Sequence, residues 1–207
     1  MQSKAQTVLR ELPSRDSNLQ HVSPKSPVVA LKSPCGMVVI WNKSEPYFRM
    51  QVCGKKISSF GDKEVVFKVD DIAFEVLTTS IEPFLEKHAV KSQVQVLHEH
   101  KTWELNYLNE FTGQKLILKE RTAKAKDGDD ILIWEALPFS KPLPEGSSRI
   151  YLTRYRNGRV IALSSTISSP DEKIRTEQLL FDAISNLDIY SQKINIAAEQ
   201  QRLRNTK

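Results

Sequence analysis

RIYLTRYRNGRVIALSST, residues 149–166, holds the strongest turn signal in the chain. Asn157-Gly158 stands between two alternating apolar runs, and this dipeptide favours a type I′ turn because both central residues need positive φ. A two-residue turn also fixes which residues of the two strands face each other. The stretch therefore predicts an antiparallel hairpin, in which Leu152 faces Leu163, Arg154 faces Ile161 and Arg156 faces Arg159.

The sequence SPDE (169–172), just after this hairpin, predicts the start of a helix. Ser169 is a suitable N-cap, Pro170 fits the first helical position, and Glu172 completes a capping box. Apolar residues then recur on one side of the helix up to about Tyr190. These residues are Ile174, Leu180, Phe181, Ile184 and Leu187.

A second hairpin is predicted from EVVFKVDDIAFEVL (64–77), which alternates between apolar and polar residues on both sides of Asp70-Asp71. A turn at these two residues places three apolar pairs on one face. The expected result is a hairpin with one buried side. The pairs are Val69 with Ile72, Phe67 with Phe74, and Val65 with Val76.

The pattern becomes helical after Ser80 and predicts helix over roughly 81–88 and 92–111, with Gly113 as the C-terminal stop. The strands KLILKERT (115–122) and DILIWEAL (130–137) follow, joined by a loop with a turn at Asp127-Gly128. The helical spacing is set by Val94, Leu97, Lys101, Leu105 and Leu108, with Trp103, Tyr107 and Phe111 alongside. The fold class predicted is α+β, with a mainly antiparallel sheet of six to seven strands. A long central helix and a C-terminal helix flank this sheet in an α/β/α sandwich.

The two cysteines are too few for a disulfide framework and lack the spacing of a metal or redox motif. If 35–41 and 47–53 pair as a hairpin, Trp41 faces Tyr47 and Cys35 faces Cys53. This register brings the thiols close enough to bridge, and a slip of one residue separates them. Two buried free thiols remain the alternative.

The charge of the chain is concentrated at its two ends. The 207 residues carry 30 basic and 25 acidic side chains, a formal charge of +5. Residues 1–27 hold four basic and two acidic residues, and 191–207 hold four and one. Subtracting 8 from 30 and 3 from 25 leaves 22 of each between them. We therefore expect a flexible N-terminal tail (1–27), one electrically neutral α+β domain (28–190) and a polar, loosely helical C-terminal tail (191–207).

The compartment is not fixed by the sequence. No apolar run approaches the roughly 18 residues of a membrane span. The N-terminus lacks the continuous apolar region of a secretory signal. We expect a soluble protein, which would be exported if a signal peptide has been removed.

No enzyme or metal motif is present. His98-Glu99-His100 with Glu104 invites a metal interpretation, but the two histidines point about 200° apart on a helix. The acidic turn at 127–130 lacks the ligand spacing of an EF-hand. The sequence therefore predicts no catalytic residue, metal or cofactor.

A basic and aromatic cluster on the first hairpin is the strongest candidate binding surface. Arginine forks onto phosphates and carboxylates, and tyrosine stacks on bases, so a β-ribbon carrying both favours RNA or an acidic protein. The alternative is an exposed hairpin whose polar face is basic without binding anything. The cluster consists of Arg149, Tyr151, Arg154, Tyr155, Arg156 and Arg159.

Four stretches of the sequence resemble the PsbP-like superfamily. They are VVALKSPCGMVVIW (28–41), DILIWEAL (130–137), RIYLTRYRNGRVIALSSTISS (149–169) and AISNLDIY (183–190). That family includes an extrinsic protein of photosystem II and a Ran-binding nuclear-transport factor. The resemblance implies an α/β/α sandwich on an antiparallel sheet that acts by docking to a partner, usually without enzymatic activity. It carries over no site residues.

The function predicted from these observations is a non-enzymatic binding or assembly module with a protein partner. The alternative is a nucleic-acid or polyanion binder that uses the 149–159 hairpin and the basic tails. Such binding would fall steeply with salt.

Overall fold

The computed structural model describes residues 27–59, 65–85, 91–139 and 147–206. Eleven strands and three helices lie within these ranges. The predicted N-terminal tail lies outside the described residues except for Pro27. The strands are β1 Val28–Ser33, β2 Gly36–Trp41, β3 Tyr47–Cys53, β4 Ile57–Ser59, β5 Val66–Val69, β6 Ile72–Ser80, β7 Ile117–Lys124, β8 Asp130–Phe139, β9 Ser147–Arg156, β10 Arg159–Ile167 and β11 Asp188–Tyr190. The helices are α1 Gln93–Thr112, α2 Pro170–Ser185 and α3 Ile196–Asn205.

The main sheet has seven strands in the order β4-β5-β6-β10-β9-β8-β7, and all of its pairings are antiparallel. The β9–β10 hairpin has the predicted register, with Leu152 opposite Leu163. Asn157 and Gly158 both adopt positive φ at its turn. The β5–β6 hairpin also pairs as predicted, with Phe67 opposite Phe74. The α+β class with an antiparallel sheet is thus confirmed.

A second, four-stranded sheet, in the order β1-β2-β3-β11, was not predicted. One of its faces packs with α2 against the main sheet, and together they form the largest core. Helix α1 covers the opposite face of the main sheet over a separate core. One helix therefore flanks each face of the main sheet, as predicted, but α2 shares its side with a sheet.

The predicted register between β2 and β3 was wrong by one residue. Trp41 faces Phe48, with their rings stacked 5.7 Å apart, rather than Tyr47. The observed register places six apolar side chains on the face that meets the main core, which is why it is preferred. They are Met37, Val39, Trp41, Phe48, Met50 and Val52.

The cysteines meet in spite of this different register. Cys35 lies in the turn between β1 and β2, not in a strand, and Gly36 takes the position opposite Cys53. The two cysteines form a disulfide with their Cα atoms 4.8 Å apart. The bridge joins the β1–β2 turn to the end of β3.

Residues 191–206 are partly helical, as the sequence predicted, but they also pack on the second sheet. They contain α3, which begins at an Asn195 N-cap. Its apolar side packs on the outer face of the second sheet, and Glu199 accepts a hydrogen bond from Arg49 of β3 at 2.6 Å. The apolar contacts join Ile194, Ile196 and Leu203 to Val29, Leu31, Val38 and Ile40. This segment is therefore part of the folded structure.

The helix predictions are correct for α1 and for the start of α2 and wrong at two places. Helix α2 ends at Ser185 instead of continuing to about Tyr190, and Asp188–Tyr190 form β11, which pairs with β3. Ser92 and Gln95 form a capping box at the start of α1, and Gly113 ends it in a left-handed conformation. Residues 81–85 form turns instead of the predicted helix, and 86–88 lie outside the described residues. In α2 the predicted N-cap is present at Ser169, but Ile174 is 71% exposed.

Candidate functional site

The basic hairpin is tied into the fold through Arg154, which is fully buried. Its guanidinium pairs with Asp129 at 2.8 Å and also with Asp127, both from the turn before β8. Its Nη1 donates to the carbonyl of Ile184 in the last turn of α2, 3.2 Å away. A cation at a helix C-terminus is favourable because the last carbonyls carry partial negative charge. Arg154 therefore joins α2 to the main sheet.

The same acidic turn also engages Arg156, which approaches Asp129 at 2.5 Å and Asp127 at 3.0 Å. Burial alone would raise the pKa of Asp127, but Arg154 and Arg156 outweigh it and hold the pKa below its ordinary value. Asp127 and Asp129, in the turn that was compared with an EF-hand calcium loop, are therefore ion-pair partners of the two arginines. Within the described residues, no group of three or more His, Cys, Asp or Glu side chains could hold a metal ion.

The remaining members of the predicted cluster lie elsewhere. On the α1 side of the sheet, Tyr151 is buried and stacks on Trp134, with ring centroids 3.9 Å apart. Tyr155 packs against the same core, and Arg149 pairs with Glu75 at 2.6 Å. Arg159 is half-buried opposite Arg156. Because strand alternation sends these residues to two faces, the structure does not assemble the six into one surface.

Helix α1 carries three exposed aromatic side chains. Trp103, Tyr107 and Phe111 are 37%, 57% and 59% exposed. Their spacing of four residues places them on one side of the helix. Tyr107 stacks with Phe111 at 6.2 Å, and Trp103 contacts Phe84 at 5.9 Å. We call these three residues the aromatic face.

Two carboxylates border the aromatic face. Glu104 is half-buried and accepts a hydrogen bond of 3.4 Å from the hydroxyl of Tyr151. Burial raises the pKa of Glu104, although the nearby Arg149 opposes this effect. Glu110 is exposed. Within the described parts of the chain, neither carboxylate has an ion-pair partner.

His100 lies on the inner side of the aromatic face and is almost completely buried. Its ring contacts Phe84 edge-on at 5.4 Å and Trp103 at 6.0 Å. Neither ring nitrogen has a hydrogen-bond partner among the described residues. Burial lowers the pKa of His100 to about 4, so the ring is neutral at physiological pH.

A cleft of about 680 Å³ opens between β3, the turn before β8 and the end of α2. Most of its charged side chains already form ion pairs. Arg49 pairs with Asp188 and Glu199, and Asp127 pairs with Arg154 and Arg156. Among the described residues that line it, the cleft therefore presents no convergent set of free catalytic groups.

The helical pattern puts the aromatic residues of α1 alongside the core positions, and their exposure was not predicted. The signal was available, because Trp103, Tyr107 and Phe111 repeat every four residues next to the buried positions Leu97 and Leu108. A helix that carries exposed aromatic rings beside its buried residues has an apolar face wider than the part that the core covers.

Comparison with known proteins shows a structural likeness. No protein-family model matches the sequence, and no curated protein matches it. The structure is similar to the solution structure of cyanobacterial PsbP from Synechocystis sp. PCC 6803. The match has 13% identity and a TM-score of 0.42, and it covers 79% of this chain and 93% of that chain.

This likeness concerns the fold alone. The α+β class rests on the strand pairing of this chain itself, and no residue role is taken from the comparison. No helix among the described residues is both long and apolar enough to cross a membrane.

Proposed function

We propose that this protein is a non-enzymatic binding module that docks a protein partner through the aromatic face of α1. The observation that carries the proposal is the exposure of Trp103, Tyr107 and Phe111 on a helix whose adjoining side is anchored in the core. Tryptophan and tyrosine are enriched at the centres of protein interfaces, where they contribute much of the binding energy.

The size of the aromatic face supports this role. A large aromatic side chain buries about 150–250 Å², so three half-exposed rings present on the order of 300 Å² of apolar surface. A standard interface covers about 800 Å² on each partner, with an apolar centre and a polar rim. The aromatic face is therefore large enough to form the centre of such an interface.

The polyanion alternative has less support. Arg154 is buried, and both Arg154 and Arg156 pair with the same two aspartates. A phosphate would have to compete with carboxylates that are already in place. We therefore do not propose nucleic-acid binding as a second function.

Site-specific photo-crosslinking in the native cell tests the proposal. A benzophenone amino acid replaces Tyr107 or Phe111 in the full chain, and Ile174 on α2, which is even more exposed, serves as the apolar control. We expect one discrete heterologous adduct from positions 107 and 111, none from 174, and loss of the adduct when Trp103→Gln is added.

The absence of a discrete adduct from α1 would contradict the proposal, as would the same adducts from position 174. An adduct with twice the mass of the chain would replace it with self-association.

A further inference from the structure

We propose that the aromatic face binds a basic segment of the partner, whose Arg or Lys side chains lie across the rings and pair with Glu104 and Glu110. This inference rests on the proposed function and adds the chemistry of the partner.

The position of the two carboxylates is the first argument. Glu104 lies three residues before Tyr107 and Glu110 three residues after it, and side chains at this spacing are neighbours, with Cβ atoms about 5–6 Å apart. The central ring of the aromatic face is therefore bordered by negative charge on both sides.

Two cationic side chains near these carboxylates form ion pairs with other residues. Lys101 is the only Lys or Arg in α1, and it pairs with Glu120 of β7. Arg149, below α1, pairs with Glu75 at 2.6 Å. In the described ranges, neither Glu104 nor Glu110 forms an ion pair. Arg149 acts on Glu104 through the Coulomb interaction alone and pairs with Glu75, so the two carboxylates leave this face complementary to a cation.

The surroundings of Glu104 strengthen the argument. Its carboxylate is partly removed from water, its pKa is raised by this burial, and its hydrogen bond comes from the neutral hydroxyl of Tyr151. A partly desolvated carboxylate without a bonded cation gains more from an incoming ammonium or guanidinium than an exposed one does.

The rings add a second attraction for the same group. A guanidinium or ammonium over the face of Trp or Tyr is attracted by the ring quadrupole, and Trp103 and Tyr107 both border Glu104 in the helix. An acidic partner would be repelled by both carboxylates. The same repulsion argues against a nucleic-acid backbone on this face.

Selection from a library of random peptides displayed on phage tests the inference. The full chain is the bait, and a variant carrying Trp103→Gln, Tyr107→Gln and Phe111→Gln is used for counter-selection. We expect peptides that depend on the aromatic face and are enriched in Arg or Lys beside apolar residues.

Each result of the selection has a separate meaning. Peptides that depend on the aromatic face but lack basic residues would leave the proposed function standing and overturn the inference. If no selected peptide depends on the aromatic face, both fail.

A selected basic peptide then allows a quantitative test. We expect Glu104→Gln and Glu110→Gln each to weaken its binding about tenfold at low salt, with a smaller difference at high salt. Asp182→Asn, which changes an exposed carboxylate on α2, is the matched control and should leave the affinity unchanged. Equal affinities for the wild type and the two glutamate variants would overturn the inference.

Two other occupants are checked with the same readout. A synthetic peptide of residues 1–26 tests the N-terminal part of this chain, which is itself basic. Sedimentation of the full chain tests a second copy. Binding of the 1–26 peptide, or dimerisation, that is abolished by Glu104→Gln would replace the partner with the chain itself and overturn the inference.

Discussion

The burial of His100 predicts that stability falls as the solution becomes mildly acidic. The ring has no hydrogen-bond partner among the described residues, and burial lowers its pKa from 6.5 to about 4. Below pH 6.5, His100 therefore binds a proton in the unfolded chain but stays unprotonated in the folded chain until the pH approaches 4. The stabilisation due to neutral His100 is complete above about pH 6.5 and is lost as the pH falls towards 4.

The size of the effect follows from the difference between the two pKa values. At about 1.36 kcal/mol per pH unit, the interval from 6.5 to about 4 corresponds to roughly 3 kcal/mol in the free energy of unfolding. Over the narrower interval from about pH 6.5 to 5, the expected loss is about 2 kcal/mol. Glu104, one turn further along α1, acts in the opposite direction because its pKa is raised.

The assay is denaturant unfolding at several pH values, with the wild type and His100→Phe measured side by side. Both proteins contain Glu104, so the difference between their unfolding free energies isolates His100. When the pH is lowered from about 6.5 to 5, we expect the wild type to lose about 2 kcal/mol of unfolding free energy relative to His100→Phe. His100→Leu repeats the comparison in case Phe packs poorly. Parallel pH profiles for all three proteins would refute the reasoning.

Three further predictions concern the elements that join the fold. Replacing Cys35 and Cys53 with Ser opens a bridge of 18-residue separation and should cost about 3 kcal/mol, measured by denaturant unfolding without reductant; an unchanged midpoint would contradict this. Arg154→Met removes the buried cation that Asp129 shares with Arg156 and should cost about 3 kcal/mol, whereas Arg154→Lys should cost less; equal losses would show that the charge is unimportant. Leu203→Asn should cost about 1–2 kcal/mol. It should also remove hydrogen-exchange protection from α3 while the main sheet keeps its own; full protection of α3 would count against its apolar anchoring.

Local signals explain the elements that the sequence predicted correctly. Asn157-Gly158 determines a turn type and hence a register, and Ser169-Pro170 with Glu172 determines a helix start, because each depends only on nearby backbone geometry. Gly113 ended α1 as predicted for the same reason. These features need no knowledge of the rest of the fold.

The features that were predicted wrongly depend on distant contacts. The β2–β3 register is decided by which side chains the main core and α3 cover, so alternation within 35–53 could not select it. The segment 191–206 has a polar composition, yet three apolar residues suffice to dock α3 once the second sheet offers an apolar outer face. Ile174 lies beyond the part of α2 that reaches the core.

The order of the strands in the main sheet determines which side chains pair with the arginines of the basic hairpin. Ile131 of β8 lies opposite Arg154 of β9, which brings the acidic turn before β8 beside the arginines near the end of β9. In the neutral stretch 28–190, the charges of these residues are balanced locally, by ion pairs at one end of the main sheet. On α1 the local balance is different, because Glu104 and Glu110 have no such partners in the described structure and border exposed rings. A surface of uncompensated charge beside exposed apolar area is a stronger indication of binding than a cluster of like charges read along one hairpin.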